Sequence, residues 1–163
     1  MNLTSLYQSA AVMPTIQSPW LQINSTVFQH GGVLPSLYRS DGLNINPALH
    51  IAALPGATKS LLLMLLDSDA PISARLHWIC WDLPPTTQIQ TNEKRGIAGI
   101  NDFQLKKYVG PCGTENNHKY YFLAFALNSF LCLPDSTPKI LVERSMESHV
   151  LAMGSILFFS PPF

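Results

Sequence analysis

Charge is what this sequence has least of. Asp, Glu, Lys and Arg make up 12% of its 163 residues, about half the usual share of a globular domain. Ten basic residues balance ten acidic ones, for a formal net charge of zero. No basic stripe exists to neutralise phosphates, which excludes a nucleic-acid partner and confines any anion binding to a local pocket. Long apolar runs are missing too, since none approaches the roughly 20 residues that span a bilayer as a helix. Residues 1–17 lack the Lys/Arg opening and continuous apolar centre of a secretory signal, so a soluble, cytoplasmic protein is expected. Cysteine is scarce. Cys80, Cys112 and Cys132 are the three present, at spacings that fit no zinc motif and in an odd number that excludes a fully paired disulfide framework. There is no internal repeat, low-complexity tract or linker-like shift in composition, so residues 1–163 read as one domain.

What is present is apolar and heavily punctuated. Hydrophobic residues reach 47%, and 13 prolines and nine glycines cut the chain into short pieces, which favours strands and turns over a helical bundle. Residues 20–29 read as one or two short strands running into a turn at Gly31-Gly32. Residues 40–51, "SDGLNINPALHI", read as an ordered loop feeding another short strand. Residues 59–67, "KSLLLMLLD", show no alternation, so they fit a strand covered on both faces. Residues 76–83, "LHWICWDL", form a second such strand, stopped by Pro84-Pro85, and residues 118–127, "HKYYFLAFAL", a third. One helix is predicted late. Thr137-Pro138 offers an N-cap and a first-turn proline. Val142, Met146, Val150 and Met153 then recur at helical spacing, with Gly154 as a stop and "SILFF" as a last strand. A central sheet covered on both faces needs a second layer, so the fold class is mostly β.

The polar residues at the ends of these apolar runs carry the chemistry. Asp67 closes the first strand directly and, if buried, needs donors or a cation. Asp69, two residues on, is equally well explained as a turn-starter bonding nearby backbone. His77 sits inside an apolar strand and His118 opens another, and each alone fits a core histidine. If the three strands are neighbours, Asp67, His77 and His118 converge at one rim, where a carboxylate orients an imidazole and raises its pKa. Such a group can hold a metal or an anion. In "YVGPCGTENNHKYY", residues 108–121, Gly110, Pro111 and Gly113 form a loop whose backbone N–H groups can face an anion. Cys112 in that loop invites a thiol-nucleophile reading, but no oxyanion hole or orienting third residue is identifiable.

In order along the chain, "SDGLNINPAL", "DSDAP", "LHWICWDLP", "GPCGTENNHKYYFLAFALN" and "MESHVLAMGSI" resemble the motifs of the phosphatidylethanolamine-binding protein family. They resemble in particular its compact bacterial and archaeal branch, related to the Raf kinase inhibitor protein. The resemblance covers residues 27–157. It implies a large central antiparallel sheet packed on a smaller one with a C-terminal helix, and a small anion pocket at one end of the central sheet. Carried over residue by residue, that pocket includes Asp67, Asp69, His77, Gly110, Pro111, His118 and Tyr120. The histidines would present N–H donors, Gly110 and its neighbours backbone donors, and Tyr120 a hydroxyl. The resemblance associates the position of Pro71 with a cis peptide bond that would aim the aspartates inward. The implied function is a non-catalytic protein binding a small anion or phosphorylated ligand, with no cofactor and no metal. Regulation of a kinase or protease partner is the alternative, a Cys- or metal-dependent hydrolase a third, and a homodimer is compatible with the low charge. Three departures bear on the pocket: Ser68 where the family has proline, the altered loop 112–118, and Lys119 in place of arginine.

Overall fold

A computed structural model describes residues 20–162; the segment 1–17 read above for a signal lies outside the described residues. The larger of two sheets has six strands. Their spatial order is β2 (Gly32–Val33), β9 (Val150–Ser160), β8 (His118–Leu127), β4 (Ser60–Asp67), β5 (Arg75–Leu83) and β7 (Ile97–Ala98). Every pairing in it is antiparallel except that of the short edge strand β2, which runs parallel to β9. The smaller sheet is antiparallel, with β3 (Leu49–Ala52) between β1 (Gln22–Asn24) and β6 (Gln88–Ile89).

The central strand β4 explains why its sequence does not alternate. All of its residues are buried. Leu61, Leu63 and Leu65 pack with Ile23, Ile51 and Ile89 of the small sheet. Leu62, Met64 and Leu66 pack on the opposite face with Val142 and Met146 of a helix, α1 (Lys139–Met146). A run of Leu and Met becomes a strand here because a layer waits on each side, and each such side chain removed from water contributes about 1.5–3 kcal/mol.

The helix is shorter than its periodicity predicts. It ends at Met146, a 3-10 turn follows over Glu147–His149, and Val150, Met153 and Gly154 belong to β9. Val150 pairs with Leu127 and Met153 with Phe125 across the ladder. Met153 still reaches the cluster that holds Val142 and Met146. A chain that leaves a helix and returns as a strand over the same core keeps its apolar spacing, so the stripe could not mark the exit. Gly154 is a close-approach residue rather than a helix stop: a Cβ there would run into the Leu21 backbone carbonyl. At the other end Pro138, not Thr137, occupies the cap position, with no side-chain cap bond.

Strand β5 carries two bulges. Leu65 pairs with Trp78 but Leu66 with Leu76, so His77 is an extra residue; between the Leu63–Cys80 and Leu61–Leu83 pairs another residue is inserted, where Asp82 has a φ of 54°. An inserted residue re-aims its neighbours' side chains. Leu76 therefore faces the helix side while Trp78, only two residues on, faces the small sheet. His77 is freed to turn towards Tyr120, with ring centroids 5.3 Å apart.

Candidate functional site

The strand ends gather at one rim through register. Asp67, the last residue of β4, pairs with Arg75 at the start of β5 and with Tyr120 near the start of β8. They open on a cavity of about 400 Å³ that Asp67, Arg75, His77, Phe103, His118 and Tyr120 line, with residues 112–116 as the facing wall and Ala70-Pro71 at the lip.

Asp67 is buried at 4% exposure, and its acceptors are engaged. Oδ2 accepts from His118 Nδ1 at 2.8 Å and Oδ1 from the Asp69 backbone N–H at 3.0 Å. The Tyr120 hydroxyl also bonds this carboxylate. Burial, then the Asp67 charge and that bond, push the Tyr120 pKa well above its ordinary value, so the phenol stays protonated.

His77 is 2% exposed. Its Nδ1 lies 2.9 Å from the Val109 carbonyl and 3.2 Å from that of Gly110. Carbonyls only accept, so Nδ1 carries the proton. Burial, the largest influence, holds the imidazole pKa below its usual 6.5, and the Arg75 charge adds to the lowering. The Val109 bond, the Asp67 charge and the Gly110 bond oppose it without prevailing. At neutral pH the ring is uncharged and Nε2 is a bare lone pair with no partner among the described residues. The expectation of an N–H donor at His77 is corrected accordingly.

Three further expected site residues stand outside the cavity wall. Asp69 is exposed, and its Oδ2 accepts the Lys119 backbone N–H at 3.0 Å; it ties the turn to β8. Gly110 lies behind His77, its N–H donated to Asn44 Oδ1 at 2.7 Å and its carbonyl turned to the imidazole. A Cβ at Gly110 would strike the Tyr38 carbonyl, so glycine is needed for close packing, not as an anion nest. Pro111 has no N–H, and its carbonyl accepts from Ser40. The Ala70–Pro71 bond is trans, as no cis peptide occurs among the described residues. Instead the turn is aimed by Ser68, whose N–H and hydroxyl both donate to the Lys119 carbonyl, at 3.0 and 3.1 Å.

Residues 24–159 match the family model of the phosphatidylethanolamine-binding protein. The chain belongs to that family. It is 36% identical over 139 residues to a UPF0098 protein of Archaeoglobus fulgidus, an alignment covering 80% of this chain and 48% of that protein. The chain thus spans about half the length of that relative. A UPF0098 protein of Pyrococcus horikoshii is 35% identical over 144 residues, covering 82% of this chain and 73% of its own length. Among solved structures, a phosphatidylethanolamine-binding protein homologue from Chlamydia trachomatis superposes with a TM-score of 0.81 at 28% identity. That superposition covers 87% of this chain and 97% of the other. Membership in the family carries the mostly β fold with two sheets.

Within this family member, sequence reasoning missed three site residues. Arg75 lines the cavity, and its guanidinium sits 5.7 Å from the Phe103 ring centroid, with no carboxylate in ion-pair contact among the described residues. Phe103 meets the His77 ring edge-on at 4.8 Å between centroids. Asn101, 2% exposed, organises the loop that carries Phe103. Its amide donates to the His77 and Lys107 carbonyls and its Oδ1 accepts from Phe103 and Leu105. Only Arg75 had a signal, as the cation beside "LHW" opposite Asp67. Among the described residues no group of three or more His, Cys, Asp or Glu side chains is arranged to hold a metal ion.

Proposed function

We propose that the protein is a non-catalytic binding protein that holds a small phosphate-like anion in the Asp67/Arg75/His77/His118 cavity. The observation that carries this reading is Arg75: a guanidinium on the wall of a partly buried cavity, without a carboxylate partner among the described residues. A cation so placed is matched by a bidentate oxyanion. His118 supports it, since it lines the cavity with Nδ1 engaged by Asp67 and Nε2 without a partner among the described residues. The acidic charge beside the anion site is screened by its own donors, Asp69 N–H, His118 and Tyr120. Against hydrolysis, the Cys112 thiol donates to the Gly110 carbonyl at 3.5 Å, and no side-chain base is hydrogen-bonded to it among the described residues. No described helix is long and apolar enough to cross a membrane, and three free thiols fit a reducing compartment such as the cytoplasm.

Calorimetric titration with inorganic phosphate and with phosphorylethanolamine at pH 6 tests this. The expected result is saturable binding of at least one of them, weakened about tenfold or more in His118→Ala, the scale of a lost charge-assisted bond. No heat from either ligand overturns the reading. A second reading, docking of a phosphorylated protein segment, is favoured by Ile72, which is 99% exposed beside Pro71 at the cavity lip. There it could meet the apolar part of a ligand larger than an ion. Capture of a kinase or protease that free phosphate competes away is the result expected of it.

A further inference from the structure

The two cavity histidines differ in what holds them. Both have Nδ1 engaged and Nε2 without a partner among the described residues. His118 is held by a carboxylate, which only accepts, so its Nδ1 carries a proton. His77 is held by two backbone carbonyls, is 2% exposed, and is packed between Phe103 and Tyr120. A fully ionised oxyanion set against its bare Nε2 would place two lone pairs in contact. That repulsion is removed only by a proton between them, carried in by the ligand as a hydroxyl or added to the ring from solvent.

We infer that the cavity binds its anion together with one proton, held between the ligand and Nε2 of His77, so that it selects acid oxyanions carrying a hydroxyl over fully ionised ones. The phosphomonoester monoanion, with one P–OH and two charged or charge-sharing oxygens, is the matching class. Its hydroxyl faces His77 and its charged oxygens face Arg75. No covalent bond changes; the reaction is association of one anion with one proton. The inference rests on the anion-site reading given under Proposed function.

The charged and titratable groups around His77 bear on where that proton goes. Asp67 on β4 favours it, and Arg75 on β5 opposes it. Tyr120 and His118 on β8, and Cys112 and Glu115 on the facing wall, share the cavity with it. On the Phe103 loop, Asp102 is turned to the Leu76 N–H at 2.7 Å. Before the ligand arrives, burial keeps the ring neutral, so the proton is taken up on binding rather than carried by the free protein.

Sulfate is the informative probe, because it does not titrate between pH 5.5 and 8, and any proton taken up must go to the protein. Calorimetry in two buffers of different ionisation enthalpy counts those protons. One proton per sulfate is expected at pH 7, with affinity falling about tenfold per pH unit. Phosphate at pH 6, which brings its own proton, should bind with less proton uptake than sulfate. His77→Asn keeps a donor for the Val109 carbonyl but lacks Nε2, and should bind sulfate with affinity independent of pH. The ¹⁵N shift of His77 Nε2 should move to the imidazolium range on adding sulfate to the unmodified protein. Sulfate binding without proton uptake, or the same uptake in His77→Asn, overturns the inference while leaving the anion site standing. Absence of binding by sulfate and phosphate at every pH overturns the underlying site instead.

Discussion

The two bulges of β5 place a polar residue each, and only one of them makes a site. At one end of the strand Asp82 directs both carboxylate oxygens to backbone, accepting from Leu131 N–H at 2.6 Å and Cys132 N–H at 2.8 Å. At the other end His77, which lines a cavity, engages one nitrogen with backbone carbonyls and leaves the second without a partner among the described residues. Both residues are inserted, both break the pairing of an otherwise apolar ladder, and both sit at a strand end. The difference is residual hydrogen-bonding capacity. A carboxylate with a backbone donor on each oxygen is tied to the fold, whereas an imidazole with an unpartnered nitrogen can still meet a ligand.

Substitution should separate the two ends. Asp82→Ala removes two charge-assisted bonds and leaves two N–H groups without their acceptor, with an expected loss of about 3 kcal/mol in urea unfolding. Asp82→Asn retains one acceptor and tolerates the positive φ, so it should lose less. Phosphate binding should be unchanged in both, and a loss of binding there would break the comparison. At the cavity end the pattern inverts. Arg75 is exposed, with its guanidinium 5.7 Å from the Phe103 ring centroid, so Arg75→Gln should leave urea unfolding within about 0.5 kcal/mol. Phosphate affinity should fall by about tenfold, equivalent to about 1.4 kcal/mol. Thiol chemistry reads the same contrast more gently. Burial, with Glu93 and Asp82 nearby, pushes the Cys80 pKa up to about 12, so Ellman's reagent at pH 8 should find two reactive thiols in the folded protein and three in denaturant. Phosphate should slow the reaction of Cys112, which lines the cavity, and not that of exposed Cys132.

How far the sequence disclosed this depends on where the information is stored. Strands β4, β5 and β8 were legible because their apolar runs have strand length and end at polar residues or prolines. Their adjacency made Asp67, His77 and His118 a cluster, and register brings those residues to one rim. What was not legible is stored in single-residue insertions and in loop contacts. Nothing in "LHWICW" announces that His77 is an extra residue in the ladder, because a bulge is set by pairing with another strand. Asn101 has no periodicity to betray it, since its role is four bonds inside one loop and to one strand. The motif order suggested Gly110 as a donor, yet its N–H is taken by Asn44, 66 positions away. The helix limit failed for a related reason: Met146 and Met153 share one core cluster from different element types.

The smallest effect follows from the neutrality of His77 and has a definite sign. Its pKa is lowered in the fold from 6.5, so just below that value the unfolded chain holds more protons than the folded one. Stability should therefore be intact above pH 6.5 and decline as pH falls from there towards the folded pKa, flattening once both states are protonated. A second decline should be separable, because burial at Glu93 is outweighed by bonds from Arg95 and from the Gln90 and Arg95 N–H groups. Together these hold the Glu93 carboxyl at about 2, down from 4.5, so its contribution is lost only as pH falls below 4.5. Urea unfolding of the unmodified protein and of His77→Asn between pH 5 and 7 isolates the first term, and the difference between them should shrink as pH is lowered. Saturating sulfate should reverse that trend for the unmodified protein alone, since a ligand that binds with a proton favours the very state that burial disfavours. If the two pH profiles run parallel with and without sulfate, the open nitrogen of His77 is as closed as the carboxylate of Asp82, and the contrast between the two bulges fails.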